Sequence, residues 1–572
     1  MLNIVRDKMS IPYDSAATAT ATAAQPSQQH LYVVDSNHNY GHNLNHNHNH
    51  NQIPNKDVFE LVKSQELEDV SSANASSDNN KNYDTRGLKH GLKDRHLSLI
   101  ALAGIIGPGI AVGAAQALAN GPAAMLIGFG IIGIIALIMM QSLGELTTLY
   151  PTGGAFSTLG AKFVDYAYGG AVGWNYVIVW VCVLANEYNV TAAILQFWGP
   201  QVPLYGYILM FWALFMGFQF LGVKTFGEFE FWLALFKIFG FIAFYIFSIV
   251  YVSGGVKGTK AFGFHYWNDP GPFKSGFKSV ASCFTFASTF YSGTEVVAIA
   301  ASESKNPGRA VPSAIRQTVW RILIIYIGIA ISYGLTVPYN DSRLQRDTKT
   351  LSSPMTIAIQ RAGWEGGAHL INAFIIVICI SAINSSIYTG SRAMVHLAHE
   401  GCAPFFFKWV TKQGVPWVAV VVMNCLGLIS LMNYSTDAAN AYSYIVNLSG
   451  VAVFIVWGNI CFYHLRFRRA MKLQGRSLDE LPFKAWGYPY LPIIGVVLNL
   501  FLALIQGWQY FKPFDAGNWV DAYVLLPFFF VLYFGFKIWH KSKWVDLNEV
   551  DLDAGRRADV DVHEKPSSKW IP

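Results

Sequence analysis

The sequence predicts an all-α integral membrane protein with twelve transmembrane helices. Hydrophobic residues make up 53% of the 572 residues and charged residues only 13%. Apolar stretches of about 20 residues, enough to cross the hydrocarbon core as a helix, recur along the chain. Twelve such stretches are centred near Ala111, Ile134, Val183, Phe211, Phe241, Phe290, Ile329, Ile378, Val421, Val453, Leu502 and Phe530.

The residues before the first span form a polar, low-complexity tail. It contains Ala/Thr repeats over Ala16–Ala24, a His/Asn alternation over His42–His50 and a Ser/Asn/Asp run over Ser71–Asn82. Such composition cannot bury an apolar core, so we expect disorder. The histidines could bind a stray divalent metal, but a polar tract without function accounts for them better, and no metal site or cofactor is predicted. Because the tail has no hydrophobic signal-peptide core, the first span is expected to direct membrane insertion.

The distribution of Lys and Arg predicts that both termini are cytosolic. With this orientation the inner loops receive Arg309, Arg316, Arg321, Lys408, Lys412 and the dense group Arg466, Arg468, Arg469, Lys472 and Arg476. The outer loops after spans five and seven also carry cations, so the bias is incomplete. We divide the chain into a disordered cytosolic tail (1–95), a twelve-span domain (96–541) and a cytosolic C-terminal tail (542–572). The net charge of +6 fits an inner face with some lipid contact and does not indicate a nucleic-acid partner.

Two of the apolar spans are interrupted. The first contains Gly107, Pro108 and Gly109, and the sixth contains Gly293 flanked by hydroxyl side chains. An unpaired backbone group in hydrocarbon costs several kcal/mol, so a broken span must line a cavity or hold a ligand. Alternatively, Gly109 and Gly113 form a GxxxG pair that only packs helices.

Paired breaks in two halves of a chain are typical of the substrate site of a transporter. The N-terminus of a half-helix presents free N–H groups to an anion, and unwound carbonyl groups accept a cation. A zwitterion satisfies both kinds of group. The breaks therefore favour a solute carrier over a channel, because two occluding broken helices suit alternating access better than an open pore.

Five motifs in order resemble fungal plasma-membrane amino-acid permeases of the amino acid–polyamine–organocation (APC) superfamily. The motifs are Arg95–Ile110, Ser142–Gly154, Phe290–Glu295, Lys305–Pro312 and Ser391–Pro404. The resemblance implies twelve spans, a five-plus-five inverted repeat with helices one and six broken, and uptake of amino acids together with protons. It also implies that tail lysines such as Lys56 and Lys63 are reached by ubiquitin ligase adaptors.

The same resemblance implies the roles of individual residues. The substrate ammonium would meet the carbonyl groups of Ile105, Thr289 and Ser292, and the carboxylate would meet the N–H groups of Gly109 and Ile110. Gly107 and Gly293 complete the two breaks, and Tyr291 would form an aromatic lid. Many family members carry Ser or Thr where this chain has Pro108, so one hydroxyl and one N–H toward the carboxylate are missing.

Ionisable residues within spans are candidates for proton coupling, because each costs about 2.5–3.5 kcal/mol on insertion scales. Lys237 lies near the middle of span five, where snorkelling to the interface is awkward, and it matches a lysine that replaces a sodium ion in related transporters. Glu187 and Glu295 are further candidates for proton handling. Glu145 ends span two and is predicted either as a cytosolic gate residue or as a structural hydrogen-bonding group between helices.

These features predict a proton-coupled amino-acid permease. A non-transporting amino-acid sensor on the same fold is the alternative, because the tail is long enough to carry a signalling role. The sequence contains no Walker motif and no nucleophile elbow, so no enzyme activity is predicted. The six cysteines fall in predicted spans or on the cytosolic side, and no disulfide framework is expected.

Overall fold

The computed structural model describes residues 106–151, 154–296, 298–299, 307–344, 353–434, 438–511 and 513–556. The predicted N-terminal tail and Ile105 lie outside these ranges. Within them the regular structure is helical, apart from one isolated bridge between Phe511 and Phe514.

The described ranges contain seventeen α-helices, α1 to α17 in chain order. The first six are α1 (Gly109–Leu118), α2 (Pro122–Leu149), α3 (Ala155–Phe163), α4 (Tyr166–Leu195), α5 (Leu204–Phe218) and α6 (Val223–Val252). The next six are α7 (His265–Asn268), α8 (Phe277–Tyr291), α9 (Pro307–Arg321), α10 (Gly328–Thr336), α11 (Pro354–Arg361) and α12 (Glu365–His399). The last five are α13 (Trp417–Leu426), α14 (Ala438–Leu473), α15 (Tyr490–Ile505), α16 (Ala516–Tyr523) and α17 (Leu525–His540).

Shorter helical turns extend or join these helices. The first turn of α1 is π-helical, and a second π-helical segment, Ile322–Ile327, joins α9 to α10. The 3₁₀ turns are Gln219–Leu221, Ser342–Leu344, Phe405–Lys408, Gly427–Tyr434, Leu478–Glu480 and Trp508–Tyr510.

The helical membrane fold predicted from the sequence is confirmed. In the described ranges, eight helical segments are long and apolar enough to cross a membrane, or nine if α16 and α17 count as one span bent by 43°. All twelve predicted centres fall in helical segments, but Ala111, Phe290 and Val421 lie in shorter ones. The count of twelve spans therefore stays a prediction.

Helix α4 lies at the centre of the fold and packs against both α12 and α14. It begins at Asp165, whose carboxylate caps the helix by accepting the backbone N–H of Ala167 at 3.1 Å. Small residues let its neighbours approach closely, as at Gly173, where a β-carbon would lie 2.5 Å from Leu397 Cδ2. Helix α6, in contrast, exposes large apolar side chains such as Trp232 and Phe239, as expected of a surface that faces lipid.

The chain after α17 packs back onto the end of the protein where α2 and α14 terminate. We call residues 545–556 the C-terminal clasp. Tyr150 donates its hydroxyl to the carbonyl oxygen of Leu552 at 2.6 Å, and the N–H of Val545 donates to the carbonyl of Val164 at 2.9 Å. Arg476 binds Asp553 of the clasp at 2.7 Å. The clasp thus connects the loops that follow α2, α3 and α14.

Candidate functional site

The first break lies immediately before α1. Ile106 and Gly107 are not helical, and Pro108 caps the π-helical turn with backbone angles of −66° and −10°. Proline loses little at this position, because the first N–H groups of a helix have no partner within the helix. The hydroxyl of Tyr333 donates to the carbonyl of Ile110 at 3.1 Å. A side chain of α10 therefore binds the backbone at the start of α1.

The second break follows α8. The helix ends at Tyr291, Ser292 leaves the helical conformation with a ψ of 142°, and Gly293 has a φ of +94°, a conformation that favours glycine. The N–H of Gly293 donates to both carboxylate oxygens of Glu295, at 3.0 and 3.1 Å. The indole N–H of Trp457 donates to the same carboxylate at 3.1 Å. Glu295 thus holds the break open by satisfying a backbone N–H that has left the helix.

The two breaks touch each other. A β-carbon on Gly109 would lie 2.3 Å from Cδ1 of Phe290, so only glycine allows this approach. The Thr289 hydroxyl lies 3.0 Å from the hydroxyl of Ser449 and 3.2 Å from the carbonyl of Val446, both on α14. The interrupted segments are therefore packed together and anchored to a continuous helix.

A cavity lies between the two breaks. The breaks contribute Ile106, Gly107, Gly109, Ile110, Thr289, Phe290 and Ser292. The surrounding helices contribute Trp180, Val183, Asn186, Glu187, Tyr326, Ala382, Ser385, Ser386 and Ser449.

Five buried polar atoms on the cavity wall have no hydrogen-bond partner in the described part of the chain. They are Trp180 Nε1, Asn186 Oδ1, Glu187 Oε2, Ser292 Oγ and Ser386 Oγ. A buried polar group left unsatisfied costs about 1–3 kcal/mol, and few persist in native structures. Because the set combines donors and acceptors from several elements, the cavity suits a small polar ligand or water.

Most of the sequence-predicted binding residues meet at this cavity. Gly107, Gly109, Ile110, Thr289 and Ser292 line it, whereas Ile105 lies outside the described residues. Gly293 does not line the cavity and instead shapes the second break.

Tyr291, predicted as the aromatic lid, does not line the cavity. Its hydroxyl donates to the carbonyl of Phe129 in α2 at 2.9 Å, and its ring stacks on Tyr326 with the ring centroids 3.7 Å apart. Its neighbour Phe290 faces the cavity, because successive residues of a helix point about 100° apart. Phe290 and Tyr326, together with Trp180 of α4, therefore supply the aromatic wall.

Lys237 lies beside the first break. Its Nζ donates to the carbonyl oxygen of Ile106 at 3.0 Å and lies 3.8 Å from Oε1 of Glu230. Glu230 is fully buried and accepts a hydrogen bond from the hydroxyl of Ser381 in α12. The sequence reasoning missed Glu230. Glu230 lies seven residues before Lys237, and this spacing places both side chains on one face of α6. The spacing could have indicated the pair from the sequence.

The other candidate carboxylates occupy different places. Glu187 lines the cavity and lies against the first break, because a β-carbon on Gly107 would be 2.8 Å from its Oε1. Glu145 lies away from the cavity at the end of α2. Its carboxylate accepts hydrogen bonds from Nη2 of Arg468 at 2.8 Å and from the N–H of Ala485 at 2.7 Å. Its Oε1 lies 3.0 Å from Nε2 of His464.

A helical membrane protein with a polar cavity between the non-helical residues before α1 and the break after α8 has an arrangement typical of a solute transporter. The family model described as "Amino acid permease" matches residues 96–549. The chain thus belongs to the amino acid permease family of the APC superfamily, and its relatives place it among the fungal members.

The chain is 59% identical to the general amino acid permease AGP3 of Saccharomyces cerevisiae, over 85% of this chain and 88% of AGP3. It is 49% identical to an uncharacterized amino-acid permease of Schizosaccharomyces pombe, over 84% of this chain and 88% of that protein. Among solved structures, a manganese transporter mutant of Eremococcus coleocola matches with a TM-score of 0.49 and 12% identity, over 81% of this chain and 96% of that one. A likeness of this size establishes neither the fold nor the cargo.

Proposed function

We propose that this permease takes up amino acids together with protons by alternating access. The proposed topology has twelve spans in a five-plus-five inverted repeat, with helices one and six broken and both termini cytosolic. The proposed location is the plasma membrane. Family membership establishes amino-acid transport, and the observation that supports this mechanism is the cavity between the non-helical residues before α1 and the break after α8.

The substrate is proposed to bind in that cavity as a zwitterion. Its carboxylate would accept hydrogen bonds from the N–H groups of Gly109 and Ile110 at the start of α1. Its ammonium would donate hydrogen bonds to the carbonyl groups of Ile105, Thr289 and Ser292. The side chain would then face the aromatic wall. Since AGP3 is named a general amino acid permease, we propose that several amino acids are accepted.

Proton coupling is proposed to centre on Lys237, which binds the carbonyl of Ile106 beside the cavity. When the lysine loses its proton, the break loses a charged hydrogen-bond donor and can change shape. Glu187 on the cavity wall is proposed as a second proton-handling group. Glu295 is proposed as a third proton-handling group. It is less available than Glu187, because its carboxylate already accepts hydrogen bonds from the Gly293 N–H and the Trp457 indole N–H.

Two further partners are proposed. Membrane lipid headgroups would contact the cytosolic cations, and ubiquitin ligase adaptors would act on the tails, at lysines such as Lys56 and Lys63. Under this proposal, deletion of residues 1–85 changes the amount of permease at the cell surface and leaves the KM for transport unchanged.

The test is uptake of radiolabelled amino acids by cells that lack their own permeases and express the full chain. The proposal predicts accumulation above the external concentration, abolished by a protonophore, together with proton entry. Equilibration without accumulation would contradict proton coupling and favour a channel. Surface expression without any uptake would favour the sensor, a reading that receives no support from the relatives, which are named permeases.

A further inference from the structure

A second cavity lies on the side of Lys237 where α6 begins. It is lined by residues of α6 and α12 and their neighbours, among them Gln219, Phe226, Asn384, Tyr388 and Arg392. The rings of Phe226 and Tyr388 stack with their centroids 4.0 Å apart, and the Arg392 guanidinium lies 3.4 Å from the Tyr388 ring centroid. Under the proposed topology this cavity is on the cytosolic side.

Glu230 and Ser381 lie between Lys237 and this cavity. Phe226 precedes Glu230 by four residues on α6, and Asn384 follows Ser381 by three residues on α12. At 1.5 Å of rise per residue, each cavity residue is about one helical turn from the pair.

Between Glu230 and the second cavity, some buried polar atoms lack a hydrogen-bond partner within the described part of the chain. Oε2 of Glu230 and the amide nitrogen of Asn384 are buried and have no hydrogen bond of normal geometry in the described part of the chain. The side chains of Asn384 and Ser385 nevertheless interact with the Glu230 carboxylate. Gln219 donates its amide to Oδ1 of Asn384 at 3.0 Å. A row of polar groups thus leads from Glu230 to the second cavity.

We propose that Glu230 relays the proton of Lys237 to the second cavity. This role rests on the proton coupling proposed above and adds the route by which the proton leaves. In the described part of the chain, Glu187 from α4 and Cys379 from α12 also interact electrostatically with Lys237, and Arg392 lies farther along α12 on the wall of the second cavity.

The relay consists of two balanced proton transfers. The Lys237 ammonium gives up a proton and becomes a neutral amine, while the Glu230 carboxylate takes it up and becomes a carboxylic acid. A water molecule in the second cavity then accepts the proton, and the carboxylate is restored. Because 3.8 Å between Lys237 Nζ and Glu230 Oε1 is longer than a hydrogen bond, the first transfer requires one bridging water or a small side-chain movement.

The test uses the full chain in proteoliposomes, with a uniformly labelled mixture of amino acids and an internal pH dye. Glu230→Gln keeps the size of the side chain and an acceptor for Ser381 but cannot take up a proton. Positioned proton-transfer groups contribute about 10²–10⁴-fold to rates, so we expect proton-driven accumulation to slow by about 100-fold. Exchange of internal for external amino acids, which requires no net proton release, should persist.

Glu228→Gln is the matched control, since it makes the same change on the same helix at a half-buried position, and it should behave as wild type. Should Glu230→Gln fail to fold, Glu230→Asp tests the relay, because its carboxylate is one methylene further from Lys237. That variant should slow accumulation and retain exchange.

Wild-type accumulation and proton entry in Glu230→Gln would overturn the relay while leaving proton-coupled transport intact. If both Glu230→Gln and Glu230→Asp lose exchange as well as accumulation, Glu230 has a purely structural role, and the relay is overturned. If the wild-type protein itself shows no accumulation under a pH gradient, the proposed function fails instead.

Discussion

Lys237 Nζ donates a 3.0 Å hydrogen bond to the carbonyl oxygen of Ile106, which joins α6 to the first break. The bond connects the only lysine near the middle of span five to the backbone that lines the cavity. A hydrogen bond to a charged group stabilises by about 1.5–3 kcal/mol, so loss of the lysine charge weakens this connection. The charge of Lys237 and the shape of the break are therefore linked.

Lys237→Ala should abolish concentrative uptake and preserve exchange, because the proposed proton carrier is removed while the cavity remains. Accumulation ratios and counterflow exchange measured in the same vesicles distinguish the two activities. Lys408→Ala, at an exposed lysine, is the control and should accumulate substrate normally. A wild-type accumulation ratio in Lys237→Ala would contradict the role of this lysine.

Pro108→Ser should lower the KM for a well-transported amino acid. The serine restores an N–H and a hydroxyl at the cap of α1, and each hydrogen bond to a charged group is worth about 1.5–3 kcal/mol. One such bond corresponds to a decrease in KM of about 10- to 150-fold. The control is Pro122→Ser at the start of α2, outside the cavity. An unchanged KM in Pro108→Ser would show that the loop is arranged around proline.

Glu145→Ala should destabilise the protein, because it leaves Arg468 buried beside His464 without the carboxylate that binds both. Breaking a buried ion pair by removing one partner costs about 3–5 kcal/mol. The midpoint of thermal unfolding in detergent should fall clearly. Asp479→Ala, which removes an exposed partner of Lys484, should leave the midpoint unchanged. An equally small effect of Glu145→Ala would exclude a structural role at the end of α2.

Docking of the C-terminal clasp should weaken in acid. Hydrogen bonds from Arg476 lower the pKa of both Glu480 and Asp553. A carboxyl group whose pKa is depressed in the folded state stabilises that state above its ordinary pKa, and the stabilisation is lost as the pH falls through the lowered value. Amide hydrogen exchange of residues 545–556, corrected for the intrinsic rate, should therefore accelerate below about pH 4.5.

Arg476→Gln provides the comparison for this pH dependence. The variant lacks the charge that depresses both pKa values, so protection of the clasp should already be reduced at neutral pH and should change less in acid. Identical exchange profiles for the wild type and Arg476→Gln would show that the buried contacts of Leu547 and Leu552 hold the clasp alone.

The sequence was sufficient to place the centres of the helical segments and the break after α8, because glycine and clustered hydroxyls are not expected within a lipid-facing helix. For the first break, the structure describes only the non-helical residues Ile106 and Gly107 that precede α1. The sequence also identified Gly109 and Ser292 as cavity residues. It assigned the cavity aromatic to Tyr291, whereas Phe290 lines the cavity, because adjacent helical residues face different neighbours and the rotation of α8 is set by tertiary packing. Glu230 was missed for a related reason: its pairing with Ser381 depends on how α6 meets α12.

The proposal that the amino acid binds between the two breaks is tested by Gly109→Val. A β-carbon at Gly109 would lie 2.3 Å from Phe290, whereas one at Gly130 of α2 meets no atom within 4 Å. The measurement is equilibrium binding of a well-transported radiolabelled amino acid to purified Gly109→Val and Gly130→Val proteins of equal thermal stability. We predict binding to Gly130→Val with wild-type affinity and no detectable binding to Gly109→Val. Wild-type affinity in Gly109→Val would contradict the proposal and remove the first break from the binding site.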